Sequence, residues 1–263
     1  MIKKYYYPLL SSSLLLMVFL SGCSVKEQRD ACPCQMVLDL TKIDKDSCND
    51  LIVSVSDAGS PIYNQRSDIE EFWPEYTIAV PRSELAVNVY SGEGDCFDQT
   101  RGIWIPFGEE CPRIYMHTSL VDTRYETVRE TVEIHKNHCV VDLYLENDAA
   151  DSRYELCLKG NVCGYGWDGQ PVQGEFSFRP DGDSDRCYRA CLPRQLDASL
   201  MLEIDDGSEV LKTFSLGEYI VAGGYDWDAQ DLEDLTVHIN WTLTSVILTV
   251  SGWDWIYECE IVI

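Results

Sequence analysis

Leu235-Thr236-Val237-His238-Ile239-Asn240-Trp241-Thr242 alternates apolar and polar side chains without a break. Successive side chains of a strand point to opposite faces, so Leu235, Val237, Ile239 and Trp241 share one face, and Thr236, His238, Asn240 and Thr242 the other. A period of two predicts a half-buried strand, since a helix would scatter the same apolar residues around its axis. The pattern recurs along the chain: Tyr76, Ile78 and Val80; Leu85, Val87 and Val89; Val128, Val132 and Ile134; Val141, Leu143 and Leu145; Tyr154, Leu156 and Leu158; Phe176 and Phe178; Leu200, Leu202 and Ile204. Each run is expected to bury one side only.

Turn signals separate the runs at Asp57-Ala58-Gly59-Ser60, Asp168-Gly169, Asp181-Gly182 and Asp205-Asp206-Gly207, where glycine accepts positive φ. Helix is scarce. One candidate starts at Ser215, with Glu218 placed as in a capping box, and stops at Gly223-Gly224. The polar stretch Glu146 to Ser152 breaks the alternation and leaves two portions of ordinary domain size. The sequence therefore predicts an all-β chain of two tandem antiparallel β-sandwich domains, residues 35–147 and 148–263.

Ahead of them, Lys3 and Lys4 precede an apolar run from Tyr5 to Leu20 that closes on Ser21-Gly22-Cys23. This is the layout of an export signal, and it resembles that of bacterial lipoproteins, in which a peptidase cuts before the cysteine and its thiol carries diacylglycerol. The sixteen residues from Tyr5 to Leu20 fall short of the roughly 20 that cross a bilayer. Residues 1–22 are thus expected to be a lipoprotein signal peptide, Cys23 the lipidation site, and residues 23–34 a tether. Each buried methylene contributes about 0.8 kcal/mol, so two or three acyl chains hold a protein stably on a membrane where one is marginal.

Without residues 1–22 the chain keeps 18 basic against 45 acidic side chains, a net charge near −27. Phosphate backbones are bound through Lys and Arg, so nucleic acid is not expected as a partner. Twelve cysteines, eleven beyond Cys23, predict several disulfides in an exported chain, with connectivity left open. Cys32 and Cys34 stand too close together to bridge each other comfortably.

No metal site is expected. No cysteine pair has zinc-ligand spacing, and the group His135, His138 and Cys139 reads more simply as solvent-facing histidines beside a turn. Asp181, Asp183 and Asp185 open like a calcium loop, but Arg186 and Leu192 stand where the loop needs glycine and glutamate. Nucleophile-elbow, P-loop, dinucleotide and His-Glu-x-x-His signatures are all missing, and four histidines leave acid–base chemistry few candidates, so no catalytic residue and no cofactor are expected. Trp227, Trp253 and Trp255 gather near the end of the chain, where they serve either as core or as a stacking platform for sugars.

Several blocks, taken in order and spacing, resemble one family. They are the lipobox with Asp30-Ala31-Cys32-Pro33-Cys34 leading into Met36–Leu40; Thr127–Leu145 with His135-Lys136-Asn137; Tyr154–Gly160 with Gly164-Tyr165; Gly223-Gly224-Tyr225-Asp226-Trp227; Asp231–Leu235; and Gly252-Trp253. Together they resemble the FimB-type fimbrial anchor subunits of Bacteroidales. The resemblance implies two transthyretin-like sandwiches held by lipid at the cell outer membrane, fimbrial pilin subunits as partners, and a non-enzymatic role in attaching the pilus base and limiting its length. The high cysteine content departs from the family.

Strand addition would give such a protein its grip, an extended segment pairing with an exposed sheet edge. Trp255, Tyr257, Cys259, Ile261 and Ile263 face one way at the carboxyl end and make either a donor strand or the closing strand of their own domain. A surface lipoprotein that binds glycan through exposed tryptophans is the alternative function.

Overall fold

The computed structural model describes residues 32–45, 48–92, 97–98, 101–146, 154–182, 187–241, 245–252 and 255–262. The leader, Cys23, most of the tether, Asp183, Asp185, Trp253 and Ile263 lie outside the described residues. Among the described residues, no helix is long and apolar enough to cross a membrane.

The described strands are β1 (Cys34–Asp39), β2 (Asp50–Asp57), β3 (Ser60–Asp68), β4 (Glu75–Val80), β5 (Glu84–Gly92), β6 (Phe97–Asp98), β7 (Gly102–Trp104), β8 (Ile114–Asp122), β9 (Thr127–Thr131) and β10 (His135–Lys136). They continue with β11 (His138–Glu146), β12 (Glu155–Tyr165), β13 (Pro171–Phe178), β14 (Cys187–Pro193), β15 (Met201–Asp205), β16 (Val210–Phe214), β17 (Leu235–Trp241), β18 (Ser245–Ser251) and β19 (Ile256–Val262). The chain is all-β, as its alternation predicts.

Four sheets form two layered pairs. Sheet one runs β4-β1-β9 and sheet two β10-β8-β5-β2-β3. Between them lies a core that includes Met36, Leu38, Val53, Val55, Ile78, Leu85, Val87 and Val89. Sheet three runs β14-β11-β17-β18-β19 and sheet four β16-β15-β12-β7-β6, with β13 also on β12. Their core includes Leu143, Leu156, Leu158, Leu202, Ile204, Val237 and Ile239. The inward sets are those the period of two selects.

Three features differ from the sequence reading. First, two pairings are parallel, β1 with β9 and β11 with β17. Alternation fixes which face a side chain takes and is silent on strand direction. Second, the strands do not divide at 147/148. β11 pairs with β14 and β17, so it belongs to the second sandwich. β7 crosses over as well, pairing with β12 at Gly164↔Trp104 and Tyr165↔Ile103.

Third, β2 and β5 do not bury one side only: every residue from Leu51 to Ser56 and from Leu85 to Tyr90 is buried. Their second face meets the turn between β12 and β13, where Ser56 Oγ donates to the Trp167 carbonyl at 3.4 Å. Gly169, at φ 72°, sits so close to Thr118 and Asn88 that an added Cβ would lie 3.1 Å from Asn88 Oδ1. Ile52, Tyr90, Ile114 and Met116 on the same face join the second core. Residues Cys34 to Ile263 accordingly make one compact unit.

The helix Leu216–Ala222 occupies the place predicted for it, but Ser215 makes no side-chain cap bond. The Glu218 amide donates instead to the Ser215 carbonyl at 3.0 Å. No disulfide joins any two of the ten described cysteines. Cys34 is buried in the first core, its side chain spent on packing.

In sheet one, Asp39 accepts from Thr41 Oγ1 at 2.6 Å and from Arg129 Nη2 at 2.9 Å, while Arg129 also donates to Glu75 at 2.6 Å. This ties β1, β9 and β4 together across their ends. Thr41 first, and then Arg129, lower the Asp39 pKa to about 2. A depressed carboxylate stabilises the fold above its unfolded pKa of about 4 and loses that contribution as pH falls toward 2. Carbon-detected NMR titration should find the Asp39 midpoint near 2 in the parent and clearly higher in Thr41→Val; an unchanged midpoint would refute the assigned cause.

Candidate strand-pairing site

The carboxyl-terminal strand is held by glycines. β19 pairs antiparallel with β18 over Ser245↔Val262 to Ser251↔Ile256, so it closes its own sheet in this structure. Ile256, Glu258 and Glu260 are exposed, and Trp255, Tyr257 and Cys259 half-buried. The inward residues pack toward the helix Leu216–Ala222. At Gly223 an added Cβ would fall 2.5 Å from Trp255 Cζ3 and 3.0 Å from Tyr257 Cβ. At Gly252 it would fall 2.6 Å from Trp255 Cε2. Trp255 thus fills a slot that only glycine leaves open. Ile261 pairs with Val246 along the ladder.

β19 is the last strand of its sheet, so one row of its backbone groups has no neighbouring strand among the described residues. Such an edge is a template for a further strand. β3 is a second edge, clipped to sheet one where Tyr63 and Tyr76 share a hydroxyl contact of 2.5 Å and both donate to Gln65 Oε1. The β14 edge is different. The Cys191 amide donates to Glu110 Oε1 at 2.7 Å, and the Cys191 carbonyl accepts from the Cys111 amide at 3.3 Å. The 110–112 segment therefore occupies that edge at Cys191, and a partner strand would have to displace it there.

Two blocks singled out in the sequence meet between the sandwiches. Asp231 accepts from the Lys136 amide at 2.7 Å and bonds His135 Nδ1 at 3.0 Å; the Leu232 amide donates to the Lys136 carbonyl at 3.0 Å. Asp234 accepts from the Val140 amide at 2.8 Å and from Lys136 Nζ. Burial pulls the Asp231 carboxyl upward, but the Lys136 amide and His135 outweigh it and hold it below the usual carboxylate range. Arg194 spans Asn137 Oδ1 and the Trp227 carbonyl, and Tyr165 donates to the Asn137 carbonyl at 2.6 Å. A polar cleft of about 420 Å³ opens beside them, lined among others by His135, Asn137, Arg194, Gln230 and Thr118.

His138 is buried, not solvent-facing as expected. Its Nδ1 meets the Ile114 backbone at 3.1 Å, and burial pushes its pKa down. His135 turns instead to Asp231 and Gln230. The structure thus does not bring His135, His138 and Cys139 together as ligands, and among the described residues no cluster of three or more His, Cys, Asp or Glu is placed to hold a metal. Trp227 is buried and meets Tyr225 edge-on at 4.7 Å, while Trp255 is half-buried against the same core. These two serve as core, not as a flat platform.

No family model matches the sequence, and no curated protein is significantly similar to it. Solved structures share the fold. The fimbrial anchor protein Mfa2 from Porphyromonas gingivalis superposes with a TM-score of 0.64 at 13% identity, over 87% of this chain and 100% of that one. A candidate polysaccharide-binding protein from Bacteroides thetaiotaomicron reaches 0.61 at 11% identity, over 86% of this chain and 98% of that one. A candidate adhesin from Bacteroides ovatus reaches 0.59 at 13%, over 87% and 95%.

Because an added Cβ would fall inside contact distance of the Trp255 ring, Gly223→Ala and Gly252→Ala should each destabilise the protein by about 1–3 kcal/mol, the usual cost of overpacking. Denaturant unfolding monitored by tryptophan fluorescence would measure it, and a change below about 0.5 kcal/mol would contradict the packing of β19 described above.

Proposed function

We propose that this chain is a non-enzymatic, lipid-anchored subunit at the base of a surface filament, which holds a pilin by main-chain strand pairing and limits filament length. The observation that carries the reading is the open edge of β19 on a sandwich pair sharing its fold with a fimbrial anchor protein. The leader ending at Cys23 supplies the membrane attachment, and the deficit of basic side chains fits a body held away from anionic surfaces. β19 acts as the closing strand of its own domain, and the incoming pilin segment lies along its outer edge. Backbone bonds give that contact its strength, and the exposed faces at Ile256, Glu258 and Glu260 give it register.

A glycan-binding role is the second reading. The polar cleft beside Arg194 and Asn137 favours it, as does the likeness in fold to a candidate polysaccharide-binding protein. The buried Trp227 does not.

Cys23→Ala should release intact filaments into the medium while leaving their subunits unchanged; filaments that stay on the cell would refute the anchor reading. Removing Tyr257 to Ile263 from the lipidated protein should also release filaments while the truncated chain remains in the membrane fraction. Electron microscopy with fractionation reads both, and retention in the second case would remove β19 from the contact.

A further inference from the structure

We infer that Cys111 and Cys191 form a disulfide that staples the crossing between the two sandwiches to the edge strand β14. The backbone has already done the alignment. The Cys111 amide donates to the Cys191 carbonyl at 3.3 Å, which holds the two residues alongside each other. Both side chains also point the same way. Cys111 Sγ donates to the Pro112 carbonyl at 3.3 Å and Cys191 Sγ to the same oxygen at 3.8 Å, so the sulfurs are at most about 7 Å apart before either χ1 turns. The two residues line one surface cleft of about 350 Å³ with Pro112 and Arg113, which gives an oxidant a way in.

Cys139 is the competitor, since it lies beside Leu192 in the β11–β14 ladder. It is fully buried, its thiol donates toward the Val140 carbonyl at 3.7 Å, and burial pushes that thiol up to about 12. Attack on a disulfide needs access, and Cys139, unlike Cys111 and Cys191, does not line that cleft.

The chemistry is dithiol–disulfide exchange with a small or protein disulfide as oxidant. One of the two cysteines, as its thiolate, attacks a sulfur of the oxidant, forming a mixed disulfide and expelling the first oxidant thiolate. The other then attacks the sulfur of its neighbour, closing the Cys111–Cys191 bond and expelling the second oxidant thiolate. Two protons and two electrons leave this chain, and the oxidant ends as two thiols. The bond closes a long loop and fixes the segment that carries Ile103 and Ile105 into the second core. It also keeps the 110–112 segment on the β14 edge, so that β14 stays closed to other strands. None of this depends on the filament role.

The full purified chain, reduced and then equilibrated with oxidised and reduced glutathione, alkylated and digested with trypsin without reductant, tests the pairing. The expected product is the peptide Gly102–Arg113 joined to Ala190–Arg194, split into two by dithiothreitol. Separate alkylated peptides, or either one joined to Asn137–Arg153, which carries Cys139, would overturn it. In the Cys111→Ser/Cys191→Ser variant, the fall in Tm caused by reductant should be smaller than in the parent by about 5–10 °C. An equal fall in both proteins would overturn it too.

Discussion

Everything in this molecule depends on sheet two being covered from both sides. Its inner face packs on sheet one through Val53, Val55, Leu85, Val87 and Val89. Its outer face gives Ile52, Tyr90, Ile114 and Met116 to the core of the second sandwich, and the β7 crossing adds Ile103 and Ile105. Each fully buried aliphatic side chain contributes roughly 1.5–3 kcal/mol, so this shared surface outweighs the tendency of tandem domains to move independently. Polar groups on the outer face are tolerated because the Gly166–Gln170 turn comes down on them, with Ser56 donating to Trp167 and Gly169 seated against Thr118.

The polar clamp at Asp231 and Asp234 follows from the same constraint. Where the chain leaves β10 for β11 it passes from one sandwich to the other, and its amides at Lys136 and Val140 turn to side chains. Two carboxylates from the loop before β17 accept them. The motif residues His135-Lys136-Asn137 and Asp231–Leu235 are thus structural partners that set the joint, and the cleft beside Arg194 is a consequence of it.

Edges divide into closed and open on physical grounds. Glu110 and Cys111 satisfy backbone groups of Cys191 on β14, and a partner strand would have to displace them. β19 has no such cover among the described residues, and its outward Glu258 and Glu260 discourage casual pairing while leaving the backbone row available.

The sequence by itself determined the strands with a clear period of two, such as β5, β11, β12 and β17, the turns at Ala58-Gly59 and Asp168-Gly169, the short helix ending at Gly223, and the inward sets such as Val237 and Ile239. Each of these rests on local chemistry: side-chain period, positive φ, or helix-stopping glycines. Tertiary structure alone decided that β1–β9 and β11–β17 run parallel, that β7 and β11 serve the second sandwich, that Ser54, Ser56 and Asn88 are buried, and that His138 faces inward. Alternation tells a residue which face of its own strand it occupies. What covers that face depends on segments far away in the chain, and only the closed packing of all four sheets brings them there.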